Sequence, residues 1–328
     1  MKPKVYITRK IPSSILEKMQ EVCEVRMWEK EDIPVPYEVL EKEIDHVDGL
    51  FCLLTETIDE ALMIKAKNLK IISNMAVGYN NIDVKAATHR GIMVTNTPEV
   101  LTETTADLTF ALLMSTARRI PESMEYLKNG KWKTWSPMQL TGQDVFGATL
   151  GIIGLGRIGE ALVKRAKGFD MNILYYNRSR KTDKEYELGI QYTELETLLK
   201  QSDFICVMTP LTPATINLID KKELSLMKKT AVLINTARGG IVNESALYEA
   251  LINGDIWGAG LDVFENEPVS TEHSLLTLPN VVALPHIGSA SIKTRLKMAE
   301  VASENLIQGL TNSVPKNLVN KETLNLRA

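Results

Sequence analysis

Apolar residues in the first hundred positions come in short runs: "KVYI" (4–7), "CEVRMW" (23–28), "GLFCLL" (49–54), "LKIISNM" (69–75) and "GIMVTN" (91–96). Charged segments with helical spacing, such as "SSILEKMQEV" and "DEALMIKAKN", separate them. This alternation predicts a parallel sheet covered by helices. A second series begins at "ATLGIIGLGRIGEALVKRAKGFDMNILYYN" and continues through "SDFICVMTP", "TAVLINTA", "WGAGLDVF" and "NVVALPH". Between the two, Pro98 is placed to open a long apolar helix, "EVLTETTADLTFALLMSTARRI", which Pro121 interrupts. A helix that apolar is expected to be buried between layers or domains. The tail "IKTRLKMAEVASENLIQGL" reads as a further amphipathic helix.

With 328 residues, the chain is too long for one comfortable core, and two α/β units are expected. Net charge is −3 with acids and bases intermixed, so no basic block points to nucleic acid or a membrane surface. No apolar run approaches the ~18 residues of a membrane span, and the N-terminus runs directly into a strand pattern. A cytoplasmic protein is expected. Cys23, Cys52 and Cys206 are scattered and read as small buried residues, with no metal site indicated.

The first chemistry lies in "GIIGLGRIGEALVKRA". Gly154, Gly156 and Gly159 follow an apolar strand and open a helix, the context of a dinucleotide-binding turn. Gly154 allows the tight turn, Gly156 lets the backbone approach a pyrophosphate, and Gly159 lets helix and strand pack closely. An NAD site usually carries an acid about 20 residues further on, for the ribose hydroxyls. Here the next strand ends "YYNRSRK", placing Asn177, Arg178, Ser179, Arg180 and Lys181 there. A guanidinium can bind a 2′-phosphate that a carboxylate would repel, so NADPH is favoured, with NADH possible. The competing reading is a solvated basic turn beside an NAD site lacking its acid.

Three strand ends of the second series carry groups suited to reducing a carbonyl. Arg238 follows "INTA", Glu267 follows "LDVFEN", and His286 follows "VVALP". Ligands of open α/β sheets sit at the carboxyl ends of strands. Taken alone, His286 could be a capping histidine, Arg238 an ion-pair residue and Glu267 a loop cap. His46, His89 and His273 lie among polar residues and read as surface.

In "NTARGGIVNESAL", "GAGLDVFENEP", "LPHIGSA" and the late glycine loop, the chain resembles the D-isomer-specific 2-hydroxyacid dehydrogenases along essentially its full length. "AVGYNNID", "YYNRSRK", "LTPAT" and "KWKTWSP" look most like the glyoxylate/hydroxypyruvate reductase branch. The resemblance implies two Rossmann-like, doubly wound parallel-sheet domains. A flavodoxin-like substrate domain would span 1–98 and 290–328, and a dinucleotide-binding domain 99–289. The C-terminal helix, beginning near Ser289, would return to the first domain, and the chain would lack the regulatory extension of many phosphoglycerate dehydrogenases.

It also implies roles. His286 would protonate the carbonyl oxygen as hydride arrives, and Glu267 would hold its other ring nitrogen and favour the charged ring. Arg238 would bind the substrate carboxylate, the amides of Val77 and Gly78 would form an anion nest for it, and Leu54 would lie nearby. Trp135 would reach a partner subunit's pocket, although a packing tryptophan is the equal alternative. The dinucleotide would touch Thr105, Arg157, Ile158, Thr209, Pro210, Thr236, Ala237, Asp262, Gly288 and Ser289, besides the glycines and Asn177 to Ser179. A homodimer is implied, built around the apolar helix near 100–118. The nearest alternatives are a 2-ketogluconate reductase and a D-3-phosphoglycerate dehydrogenase. A binding protein like the C-terminal-binding-protein corepressors is the alternative of another class.

Overall fold

In the computed structural model, which describes residues 1–326, the strands close into two all-parallel sheets. The chain divides into two compact units: Met1–Leu101 with the stretch from Ala290, and Thr102–Ser289. Arg327 and Ala328, at the end of the expected first domain, lie outside the described residues.

The first unit runs β1 (Lys4–Ile7), α1 (Ser13–Val22), β2 (Glu24–Met27), α2 (Tyr37–Ile44), β3 (Gly49–Cys52), α3 (Glu60–Lys65), β4 (Ile71–Asn74), α4 (Val84–His89) and β5 (Met93–Thr95). Its sheet order is β2-β1-β3-β4-β5, the flavodoxin-like doubly wound order. β3 and β4 are buried along their whole length, as parallel strands covered on both faces must be. Asp59 and Asp83 accept the Leu62 and Ala86 amides and so start α3 and α4.

The second unit runs α5 (Thr102–Ala117), α6 (Ile120–Lys128), β6 (Thr149–Ile153), α7 (Arg157–Lys167), β7 (Asn172–Tyr176), α8 (Thr182–Leu188), β8 (Gln191–Tyr192) and α9 (Leu195–Gln201). It continues with β9 (Phe204–Val207), α10 (Lys221–Ser225), β10 (Val232–Asn235), α11 (Glu244–Asn253), β11 (Gly258–Leu261) and β12 (Val281–Ala283). The sheet order is β12-β11-β10-β9-β6-β7-β8, which is the Rossmann order with one strand added at the β12 edge. The order reverses between β6 and β9, the crevice where such sheets bind dinucleotides.

Three expectations change. The long helix starts at Thr102 and not at Pro98, because Glu99 takes a left-handed backbone (φ 73°) that a right-handed helix cannot contain. The break after α5 falls at Arg119 (φ 52°), and Pro121 sits in the first turn of α6, where a missing amide costs nothing. α5 buries Ala106, Phe110, Leu112 and Leu113 in the core of its own unit, against α7, β10 and β11, so its apolar character needs no second chain.

α12 (Ile292–Leu310), capped by Ser291, returns the chain to the first unit. Its buried Ala299, Ala302 and Leu306 pack with Val5, Ile7, Phe51 and Ile71 of the first sheet. The approach is close: a Cβ at Gly309 would lie 2.5 Å from Ile71 Cδ1.

Candidate active site

The three glycines of the β6–α7 turn behave differently. Gly154 has φ +103°, and a Cβ there would lie 2.7 Å from the Thr209 amide nitrogen. It therefore seats the loop after β6 against the loop after β9, which carries Thr209 and the exposed Pro210. A Cβ at Gly159 would lie 2.9 Å from the Gly154 carbonyl oxygen and 3.4 Å from Ile152, so α7 is pressed onto β6. A Cβ at Gly156 would meet nothing within 4 Å. Gly156 is also the N-cap of α7, the turn that carries Arg157 and Ile158, and it supplies no capping side chain. That is a cradle a Cβ would fill, with a positive dipole end behind it, and it fits a dinucleotide pyrophosphate.

At the end of β7, Asn177 is committed to the protein: its Oδ1 accepts the Leu155 amide at 2.6 Å. The basic turn beyond it is largely neutralised from within. Arg180 grips Glu185 through two nitrogens, at 2.8 and 2.7 Å, and lies over the Tyr192 ring. Bonds from Arg180 and from Tyr175 pull the Glu185 carboxyl down to about 2. Lys181 and Lys184 both reach Glu160 of α7. Arg178 and Ser179 are exposed, and Arg178 has no polar partner among the described residues.

β10, β11 and β12 are neighbours, so their carboxyl ends lie side by side. After β10, buried Asn235 folds the turn, accepting the Ala237 amide and donating to the Arg238 carbonyl. Arg238 Nη1 donates to the Ala237 carbonyl at 2.7 Å. Burial pulls the Arg238 pKa down, while the charge of Glu267 acts the other way. Thr236 shares a 2.7 Å bond with Thr109 of α5. After β11, Asp262 accepts the Ile287 amide at 2.8 Å and the Gly288 amide at 2.7 Å, one on each oxygen. Burial raises its carboxyl despite those bonds. A Cβ at Gly288 would lie 3.2 Å from Asp262 and 3.4 Å from Thr105, which places these three together; Ser289 follows.

His286 itself has a left-handed backbone (φ 55°). Its Nδ1 lies 2.6 Å from Glu267 Oε2, while Glu267 Oε1 accepts the Phe264 amide at 2.9 Å. Burial pushes the Glu267 carboxyl up, but the His286 bond and charge, the Phe264 amide and the charge of Arg238 outweigh it and leave it below its ordinary value. An ionised carboxylate only accepts, so Nδ1 carries a proton and donates, and Nε2 is the ring's free position.

In the first unit, Val77 and Gly78 follow β4. Leu54 lies in the loop after β3, where Glu56 Oε2 accepts the Leu53 amide at 2.8 Å and Asn81 donates to the carbonyls of Leu53 and Glu56. Trp135 is 76% exposed. His46 and His89 are exposed as expected, but His273 is not a surface residue. It is half-buried, 3.0 Å from Glu244, and its ring accepts the Leu275 amide, because it caps a short helical turn. Sequence reading missed the groups that hold these turns: Asn235 and Thr109 in the second unit, and Glu56 and Asn81 in the first. Among the described residues no cluster could hold a metal ion, and no helix is long and apolar enough to cross a membrane.

Residues 110–288 match the model of the D-isomer specific 2-hydroxyacid dehydrogenase NAD-binding domain. The chain is 51% identical over 328 residues to a glyoxylate reductase of Korarchaeum cryptofilum, covering 100% of this chain and 98% of the relative. It is 50% identical to a glyoxylate reductase of Pyrococcus horikoshii, with the same coverage. Among solved structures, it resembles an NADPH-dependent glyoxylate/hydroxypyruvate reductase of Sinorhizobium meliloti, in complex with NADP and malonate. That likeness has a TM-score of 0.84 and 36% identity, covering 98% of both chains.

Proposed function

The chain belongs to the D-isomer specific 2-hydroxyacid dehydrogenases, in the glyoxylate/hydroxypyruvate reductase branch, and from that premise we propose that it reduces glyoxylate to glycolate, and hydroxypyruvate to D-glycerate, with NADPH. The observation that carries this reading is the His286–Glu267 pair, held at 2.6 Å between the chain segments after β12 and β11, with β11 lying beside β10, which leads into Arg238.

Bound at the glycine loop, the dinucleotide would supply the hydride. The chain's own residues do the rest. His286 gives a proton from Nε2 to the carbonyl oxygen as negative charge develops there. Glu267 fixes the ring's orientation and keeps the Nδ1 proton in place; Asp262 holds the 286–288 backbone. Arg238, drawn out of water, attracts the substrate carboxylate and polarises the carbonyl more strongly than a solvated guanidinium could. The amides of Val77 and Gly78 take the carboxylate, and Leu54 borders the substrate. In the reverse direction, neutral His286 takes the proton back.

NADPH preference rests on Asn177, Arg178 and Ser179. Asn, not a carboxylate, stands at position 177, where it braces the glycine loop, and Arg178 is the cation of its turn with no polar partner among the described residues. Trp135 and its apolar neighbours meet a second copy of the chain in a homodimer. The test of the whole reading is kcat/KM for glyoxylate with NADPH and with NADH. NADPH is expected to win, and Arg178→Ala to lower NADPH efficiency by at least about tenfold, with NADH little changed. Equal or better efficiency with NADH would overturn the cofactor assignment, and no turnover of any 2-oxoacid would overturn the activity.

A further inference from the structure

The segment Ala76–Gly78, which follows β4, is held in an unusual way. Each of its three carbonyls is taken by a donor from inside the first unit. The Thr97 amide donates to the Ala76 carbonyl at 2.9 Å. Asn96 Nδ2 donates to the Val77 carbonyl at 2.8 Å, and Asn74 Nδ2 to the Gly78 carbonyl at 2.9 Å. The amides of Val77 and Gly78, by contrast, have no acceptor among the described residues. A peptide is a rigid dipole joining the carbonyl of one residue to the amide of the next, so drawing in the Ala76 carbonyl turns the Val77 N–H outward, drawing in the Val77 carbonyl turns the Gly78 N–H, and drawing in the Gly78 carbonyl turns that of Tyr79.

From this we infer that Asn96 and Asn74 are positioning residues for the substrate carboxylate: Asn96, by drawing back the Val77 carbonyl, aims the Gly78 amide at the anion, and Asn74, by drawing back the Gly78 carbonyl, locks the next peptide of the same turn with its amide, that of Tyr79, outward. The inference rests on the carboxylate role proposed above for those amides. Two features of the pair support it. Both side chains are neutral donors, so they orient the peptides without adding a charge that would compete for the anion. Both are also fixed. Asn74 is fully buried at the end of β4. The Asn96 backbone is tied to the C-terminal part of the chain: its carbonyl accepts from buried Asn305 of α12 at 3.1 Å, and its amide donates to the Asn317 carbonyl at 3.4 Å. The return of α12 thus braces a substrate-binding turn more than 200 residues earlier in the sequence.

The positioning role is tested with Asn74→Ala, Asn96→Ala and Asn96→Asp in the full-length enzyme. Steady-state kinetics with glyoxylate, inhibition by oxalate and NADPH binding are measured for each. We expect KM for glyoxylate and the inhibition constant for oxalate to rise together by about tenfold or more, as for lost hydrogen bonds to a charged group. kcat should stay within about threefold and NADPH affinity should be unchanged, since the reacting centre is untouched. Asn96→Asp keeps the size and loses the donor, and its added charge should weaken anions further than Asn96→Ala does. If Asn96→Ala and Asn74→Ala keep wild-type KM and oxalate inhibition, the inference is wrong. It is also wrong if only Asn96→Asp weakens anions, because charge alone would then explain the loss. Should one alanine variant fail to fold, seen as lost NADPH binding, the other decides. Wild-type enzyme that reduces no 2-oxoacid would take down the functional reading and this inference together, whereas active wild type with unaffected variants removes this inference alone.

Discussion

His286 sits where its own backbone preference does not put it. A non-glycine residue with φ 55° is uncommon, and here it is held by two amides bonded to Asp262 and by the ring's bond to Glu267. Strain supported from both sides marks a residue whose ring position matters. His286→Ala should lower kcat by roughly 10²–10⁴-fold and leave NADPH binding intact, as single-turnover kinetics with a binding titration would show. More than a tenth of wild-type kcat, with chemistry limiting, would make the histidine a structural cap. Glu267 allows a signed test by pH. Its folded carboxyl lies below the ordinary glutamate value, so its charge adds stability that is present above that value and lost as pH falls through the folded one. The melting temperature of Glu267→Gln should therefore fall below wild type at neutral pH, with the gap closing in acid below about pH 4. A gap that widens in acid would contradict the pairing.

At the scale of elements, the β6–α7 turn should separate folding from cofactor binding within six residues. Gly154→Ala meets a positive φ and the Thr209 backbone at 2.7 Å, so it should lower stability outright. Gly156→Ala meets nothing of the protein and should change stability by less than about 1 kcal/mol, the scale of an N-cap exchange, while raising KM for NADPH. Thermal melts beside cofactor titrations check this, and equal destabilisation by both variants would refute the division. This turn was legible in the sequence because its signal is local: three glycines at fixed spacing between an apolar strand and a helix. The sheets were legible for the same reason, since alternating runs encode strand and helix directly. Other features left little local trace. β8 is only two residues long, and the late start of α5 depends on the backbone of a single residue, Glu99. The holders of the site act across the chain: Asn96 reaches back 19 residues to Val77, and Asn305 reaches 209 residues to Asn96. No periodicity encodes a hydrogen bond at such separations, and "SNMAVGYN" and "VTNTPE" offered only an asparagine beside each turn. His273 misled for a similar reason, its partner Glu244 being remote in sequence.

For the whole molecule, the question is what covers the apolar side chains that the second unit leaves out. The buried apolar side chains of α5 give no reason for a dimer, because its own unit covers them. The segment from α6 to the start of β6 gives one. Trp132, Trp135, Met138 and Phe146 are all exposed there, the last three by 76%, 77% and 70%, beside exposed Ile120, Met124 and Leu127. Residues 131–143 form no helix or strand, so they lack the regular hydrogen bonding that would stabilise an isolated arm. A long irregular segment rich in exposed tryptophan and methionine is costly in water and is the composition of an interface. A second copy offers the same surface, and a two-fold axis lets each arm cover the other without leaving an open end. We therefore expect a symmetric homodimer at micromolar concentration by sedimentation equilibrium, with an interface above about 1,600 Å². Trp135→Ser combined with Met138→Ser should shift it toward monomer while circular dichroism stays that of a folded α/β protein. If the arm also shapes a partner's substrate pocket, activity with the longer hydroxypyruvate should change more than activity with glyoxylate. A wild-type enzyme that sediments as a monomer and is fully active in that state would remove both the dimer and the cross-subunit role of Trp135.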